Sequence, residues 1–387
     1  MAPLIGYCTN VHAGADLQTT RDNLAHHSLG VKNIVSPEQP MGIGLWLSAS
    51  AASRLRQDDQ FNDFRDWLRQ SGLVPYTMNG FPYGDFHQEI VKHDVYQPTW
   101  AEPARQQYTL DLIDLLHRLL PAEQEATIST LPICWGNPAP GEDTLQQAAR
   151  NLQQVVQQLV QLEKETGRCI SICLEPEPGC FLQRSGDIVD FFENHLLPAG
   201  DENATRRYLR VCHDVCHAAV MFEPQADVLD RYLDAGLQVG KVQVSSAVVL
   251  PREVTESTEC AAALEQLAGF AEDRYLHQTM VKSSDGSSYR FFEDLRIALD
   301  EIDATQAAGT EWRVHFHVPI YLETFAHLHT SRADVESCLA TCRQREIQTS
   351  FEVETYAWGV LPGDLQIPEL ATGIARELQW FKQLMQG

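Results

Sequence analysis

Cys169-Ile170-Ser171-Ile172-Cys173-Leu174-Glu175-Pro176-Glu177-Pro178-Gly179 decides the fold. From Cys169 to Leu174 only Ser171 interrupts an apolar run, and the run then turns to acids and prolines. A strand with one wet face alternates apolar and polar residues, and this one does not. The pattern predicts a strand covered on both faces by helices, which is the environment of a parallel sheet. Leu4–Val11, Gly42–Leu47, Leu73–Met78, Ala126–Cys134, Leu209–His213, Gly240–Val244, Trp312–Val318 and Thr349–Glu354 read the same way.

Helical periods lie between these runs. Asp143–Glu165 puts Leu145, Ala149, Leu152, Val156, Leu159 and Leu162 on one stripe, with Asp143 as a cap and Gly167 as a stop. Tyr108–Leu120, Gly186–Leu197, Pro224–Ala235, Tyr289–Ile302, Ala333–Arg345 and Ile367–Met385 repeat the pattern. Strand–helix alternation at this count predicts an α/β protein, a (β/α)8 TIM barrel, whose usual size is about 250 residues. The chain has 387, so about 137 residues are left for insertions. Two segments suit that role. Phe81–Arg105 is aromatic and unperiodic, and Val248–Glu311 has a Ser/Gly-rich centre and follows strand seven. No linker or composition break divides the chain, so residues 1–387 read as a single barrel domain with insertions at 81–105 and 248–311.

Composition narrows the partners. Lys and Arg number 29 against 53 Asp and Glu, a net charge of −24. That balance repels phosphate backbones and anionic membrane surfaces. No apolar run approaches the roughly 18–20 residues of a membrane helix. Met1–Tyr7 shows no basic region leading into an apolar stretch. The ten cysteines are scattered without a C-x-x-C pair. A cytoplasmic protein with reduced thiols is the expectation.

Chemistry gathers where strands end. Leu174 runs into Glu175 and Glu177; Val211-Cys212-His213 into Asp214 and His217; Lys241-Val242-Gln243-Val244 into Ser245; Val314 into His315 and His317; Val353 into Glu354. In a (β/α)8 barrel these ends converge on the active site. Carboxylates and imidazoles collected there suit a divalent cation, Zn²⁺, Mn²⁺ or Mg²⁺. Each run also has a purely structural reading: Asp214 capping the next helix, Glu175 and Glu177 as solvated loop acids, the histidines hydrogen-bonded within a sheet. Five at successive strand ends exceed coincidence. No G-x-G-x-x-G after a strand, P-loop, H-E-x-x-H or G-x-S-x-G is present.

Leu174–Gly179, Asp214-Val215-Cys216-His217-Ala218 and Val353-Glu354-Thr355 resemble the xylose isomerase-like superfamily of sugar isomerases, ketose 3-epimerases and endonuclease IV. The whole chain looks most like the EboE family of metabolite traffic proteins. Tyr7–His12, Asn79–Gly84, Arg274–Gln278, His315–Pro319 and Glu352–Tyr356 carry that match. The resemblance implies a metal held by Glu175, Asp214 and Glu354. The superfamily's usual fourth ligand, a His ending strand seven, is Gln243 here. His315 and His317 occupy the segment matching an endonuclease IV ligand loop, and His317, nearer the strand end, is taken as the fourth ligand. His217 matches a residue that binds substrate or a second metal. Asn79 and Cys134 stand where endonuclease IV needs histidines, which disfavours DNA repair.

The expected function is isomerase or epimerase chemistry on a small polyhydroxylated or carbonyl metabolite, with Glu175 and Glu354 moving the proton. His217, Gln243, His277, His12, His87 and His315 are the expected substrate contacts. The resemblance further implies a role with other proteins of one gene cluster in moving a secondary-metabolite precursor. The rivals are a non-catalytic handover protein and a metal-dependent phosphoesterase.

Overall fold

The computed structural model describes residues 5–121 and 124–386. Leu4, the start of the first expected strand, and Met1–Pro3 lie outside the described residues. Seven strands come first: β1 (Gly6–Tyr7), β2 (Met41–Trp46), β3 (Leu73–Asn79), β4 (Ala126–Thr130), β5 (Ile170–Leu174), β6 (Leu209–Asp214) and β7 (Val239–Val244). The chain then builds β8 (Val248–Leu250), β9 (Thr279–Lys282), β10 (Tyr289–Phe292), β11 (Glu311–Val314), β12 (Thr324–Phe325) and β13 (Leu328–Thr330). It returns as β14 (Ser350–Val353).

Strands β1 to β7 and β14 form one parallel sheet, ordered β1-β14-β7-β6-β5-β4-β3-β2. A parallel bridge from Cys8 to Gly44 brings its two edges together. The result is a nearly closed (β/α)8 barrel. Ile170–Leu174 is buried at every position, as its unbroken apolar run predicts. The helix Glu142–Thr166 buries Leu145, Ala149, Leu152, Val156 and Leu159 and ends at Gly167 in the left-handed region, φ 72°. Gly141, not Asp143, occupies its cap position, and Asp143 lies in the first turn.

Strands β8 to β13 form a second, antiparallel sheet ordered β10-β9-β11-β8-β13-β12. The expected strand Trp312–Val318 therefore pairs outside the barrel. Its ladder covers only Glu311–Val314, because His315 onward turns into a cluster of polar groups. The expected helix Tyr289–Ile302 is corrected as well. Tyr289–Phe292, rich in β-favouring aromatics, is a strand, and the helix Leu295–Glu301 starts only after Asp294 caps it.

The barrel interior holds an ion pair. Lys241 on β7 meets Glu352 on β14 at 2.6 Å, both fully buried. Among the described residues no helix is long and apolar enough to cross a membrane.

Candidate metal centre

The parallel register brings the acids to one level. Glu175 and Glu354 each lie one residue past a barrel strand, and Asp214 is the last residue of β6. The Glu175 amide donates to the Thr130 carbonyl at 3.0 Å, and the Glu354 amide to the Val244 carbonyl at 3.0 Å. The second sheet supplies the imidazoles. His315 and His317 follow β11, and the His315 amide donates to the Gln278 carbonyl, just before β9, at 2.8 Å. His217 sits three residues past Asp214, whose Oδ1 accepts from the His217 amide at 2.9 Å. Asp214 is thus a helix cap and a member of the cluster at once.

Among the described residues four sets of three donors have ligand atoms within 4.8 Å of one another: Glu175–Asp214–Glu354, Asp214–His217–His317, Glu177–His217–His315 and Cys216–His315–His317. The four residues expected to share one cation are therefore arranged around Asp214. Its neighbours are Glu175 and Glu354 in one set and His317 with His217 in another.

Hydrogen bonds fix the imidazole tautomers. His217 Nδ1 lies 2.8 Å from the Pro176 carbonyl, His315 Nδ1 2.7 Å from Gln278 Oε1, and His317 Nδ1 2.7 Å from the Glu354 carbonyl. A carbonyl oxygen only accepts, so each Nδ1 carries the hydrogen and each Nε2 presents a lone pair. Anchoring a ring through its far nitrogen in this way is typical of metal-ligating histidines. The Nε2 atoms of His217 and His315 are 3.1 Å apart. Two neutral rings so arranged repel, and a cation or a proton between them relieves it. Two nitrogens at the usual zinc distance of about 2.0–2.1 Å stand near this separation in tetrahedral geometry. Glu175 Oε2, Asp214 Oδ2 and His317 Nε2 are buried with no hydrogen-bond partner. Such orphaned atoms are costly unless something binds them. The residues present fit a divalent ion with mixed nitrogen and oxygen ligands.

Electrostatics agree with that fit. Burial raises the Glu354 pKa to about 8, with Asp214 and Glu352 adding repulsion. Burial raises Glu175 well above the carboxylate range, helped by Glu354 and Asp214. Burial also works to raise Asp214, but His217, His317 and donors from the His217 amide and Ser245 outweigh it and hold it low. Burial lowers His317 to about 4, and pushes His315 well below its usual value, so both rings stay neutral. Glu354 Oε1 accepts from Asn10 Nδ2 at 2.8 Å and Asn79 Nδ2 at 2.9 Å.

The cluster floors a cavity that Glu175, Glu177, His217, His315, His317 and Glu354 help to line. Four other expected contacts stand elsewhere. Gln243 points into the barrel below the cavity, in register with Asp214 and Glu352, and neither side-chain polar atom has a partner. It sits one residue before the end of β7, a layer too deep. His277 is fully buried, bound to Glu272 at 2.9 Å and stacked on Phe316 at 4.9 Å. His12 meets the Tyr7 hydroxyl at 2.8 Å and stacks on His27 at 4.7 Å. His87 Nε2 contacts the Asn10 carbonyl at 2.6 Å and braces that loop.

Glu177, read as a solvated acid, is buried in the cluster and accepts from the Tyr96 hydroxyl at 2.7 Å and Gln278 Nε2 at 3.2 Å. A turn closed by Cys180 N to Glu177 O, with Gly179 at φ 84°, folds it back. The Pro-Glu-Pro-Gly string is the sequence signal for that turn. Tyr96 lies in an unperiodic segment and carries none, and Gln278 closes the Arg274–Gln278 string, whose family likeness gave it no role.

No protein-family model matches the sequence, and no curated protein does. Solved structures do match. A xylose isomerase-like TIM barrel protein from Mycobacterium smegmatis, in complex with magnesium, aligns over 99% of this chain and 97% of its own, with 10% identity and a TM-score of 0.53. The fold is a xylose isomerase-like TIM barrel. A D-tagatose 3-epimerase-like protein aligns over 99% and 97% at 9% identity and TM-score 0.48. The IOLI protein with a bound zinc atom aligns over 99% and 98% at 8% identity and TM-score 0.49.

Proposed function

We propose that the chain is a divalent-metal-dependent isomerase or epimerase of a small polyhydroxylated or carbonyl metabolite. One observation carries the reading. Three imidazole lone pairs and two orphaned carboxylate oxygens converge at the ends of barrel strands, and all of these residues but Asp214 line one cavity. A divalent cation bound there would act as a Lewis acid on two adjacent substrate oxygens. The cation would be held by Glu175, Asp214, Glu354 and His317. Glu354 Oε1, fixed by two amide donors, is suited to serve as a ligand once a cation displaces its proton. Glu175 keeps Oε2 free of any donor and is the better proton carrier. His217 and His315 border the same space and would orient the substrate.

The reading treats the chain as one barrel domain whose segments 81–105 and 248–311 roof the strand ends. Phe86 and Tyr96 from the first, and Tyr275 and Leu276 from the second, line the cavity. It also keeps the EboE likeness, with the chain handling a secondary-metabolite precursor in the cytoplasm alongside proteins of its gene cluster. Its support is that the strings carrying that likeness supply Asn79, His315, His317, Glu354 and Tyr356 to the cavity.

The test is hydrogen exchange. Protein loaded with Mn²⁺ or Zn²⁺ should wash deuterium from solvent into the carbon beside the carbonyl of a ketose or hydroxyketone. A metal-loaded protein that binds such compounds without any exchange would be a handover protein instead. Release of phosphate from phosphoesters would point to hydrolysis.

A further inference from the structure

The cavity above the donors is walled by carbon. Phe81, Val91, Val95 and Leu276 present apolar side chains. Phe86, Tyr275 and Tyr356 pack on one another with centroids 5.0, 5.1 and 5.5 Å apart, and Tyr356 lies 4.7 Å from the His317 ring. This aromatic triad therefore starts where the metal donors stop.

The polar groups in the wall are already engaged. The Asn10 and Asn79 amide nitrogens donate to Glu354, and the Tyr96 hydroxyl donates to Glu177. The Tyr275 hydroxyl donates to the Phe86 carbonyl at 3.1 Å. Among the described lining residues the one ammonium, Lys92, is paired with Asp294 at 2.6 Å. Asn10 Oδ1, buried and without a partner, and the Tyr356 hydroxyl are the groups left over.

We infer that the substrate is a neutral α-hydroxy ketone with an apolar body about the size of an aromatic ring, rather than a free sugar or a sugar phosphate. The inference rests on the metal-centre reading, since the two adjacent oxygens are the end that the cation would take. A six-carbon ketose would bring further hydroxyls past His217 and His315 against the carbon wall, where Asn10 Oδ1 and the Tyr356 hydroxyl are the groups without a partner to answer them. Each buried hydroxyl left without a partner costs about tenfold or more in affinity. An apolar ring gains by leaving water for the same wall and stacks on the triad. A phosphate or carboxylate at the far end of the cavity finds no unpaired cationic side chain in the described lining, and the chain's net charge of −24 opposes it. On such a compound the step balances without a co-reactant. The carbinol C–H proton passes to Glu175 Oε2, its electron pair shifts toward the carbonyl oxygen, a solvent proton returns to the same carbon from the other face, and Glu175 releases the proton it took to solvent.

Calorimetry and thermal melting of the Mn²⁺-loaded protein test this with three probes: 1-hydroxy-1-phenylpropan-2-one, D-fructose and D-fructose 6-phosphate. The aromatic hydroxyketone should bind at least tenfold more tightly than D-fructose, and the phosphate should not bind. It should not bind to metal-free protein. D-fructose or its phosphate binding as tightly, or no probe binding to loaded protein, overturns the substrate class and leaves the metal centre standing. A melting temperature that Mn²⁺ alone does not move overturns the metal reading, and the substrate class with it.

Discussion

Glu354 shows how much one side chain can be asked to do. It is buried, crowded by Asp214 and Glu352, and its pKa is raised to about 8. Like charges at this distance oppose one another unless a cation offsets them. Glu354→Gln keeps the shape and an oxygen for the Asn10 and Asn79 amides, but removes the charge. The metal-free variant should therefore melt at or above the wild type. Its melting temperature should rise less on addition of Mn²⁺ or Zn²⁺, with metal affinity weakened about tenfold or more, the scale of disturbing a metal site. Equal metal-induced shifts in the two proteins would remove Glu354 from the ligand set. The sequence made this residue legible because a carboxylate directly past an apolar strand has few other places to point. It did not make Glu177 legible, because a turn at Gly179 brings that side chain back.

Two elements hold the site in place, and each can be probed alone. The barrel closes across β1, a strand of two residues, against β2. A Cβ built on Gly6 would stand 2.2 Å from the Gly42 carbonyl oxygen, an impossible contact with backbone. Gly6→Ala should cost about 2 kcal/mol or more, the upper range of overpacking. It would be read as a lower urea midpoint with an unchanged slope. An unchanged midpoint would mean that the seam is loose. The C-terminal helix Leu370–Gln386 is pinned beneath the site by Glu377, which accepts from Thr355 Oγ1 at 2.6 Å, Trp358 Nε1 at 3.1 Å and the Ile320 amide at 3.1 Å. Burial raises its pKa from 4.5 to about 7. A raised acid favours the folded state only while protonated. Its contribution is complete below pH 4.5 and is lost as pH climbs through 7, about 3 kcal/mol in all. Glu377→Gln should remove that part of the slope, so urea stabilities measured at pH 5 and pH 8 should lie closer together than in the wild type. An identical slope would show that Glu377 is ionised throughout. Barrel strands were readable because continuous apolar runs admit one environment. Of the antiparallel sheet only β11 was, as part of Trp312–Val318: β10 mimics a helical period, and β12 and β13 are too short to leave a pattern.

Across the whole molecule, net charge and site chemistry act together. The chain carries −24 formally, and that count includes the cluster carboxylates Glu175, Glu177 and Glu354, whose pKa values burial raises. Ligands must be deprotonated to bind metal, so metal uptake and proton release are linked. At pH 7, Glu354, with a pKa of about 8, still holds its proton in most molecules. Loading Mn²⁺ should therefore expel at least about one proton per protein at pH 7 and progressively fewer as pH rises beyond 8. Apparent affinity should increase over the same span. Calorimetric titrations in two buffers of different ionisation enthalpy count those protons directly. The stabilisation follows from mass action. At a free metal concentration a hundred times the dissociation constant, the folded state gains about 2.7 kcal/mol, and EDTA should reverse it. Exposed acids scattered over an acidic surface also attract divalent ions, but they are ionised at pH 7 and have no proton to release. Metal uptake without proton release would therefore assign the binding to the surface and leave the buried cluster without its ion.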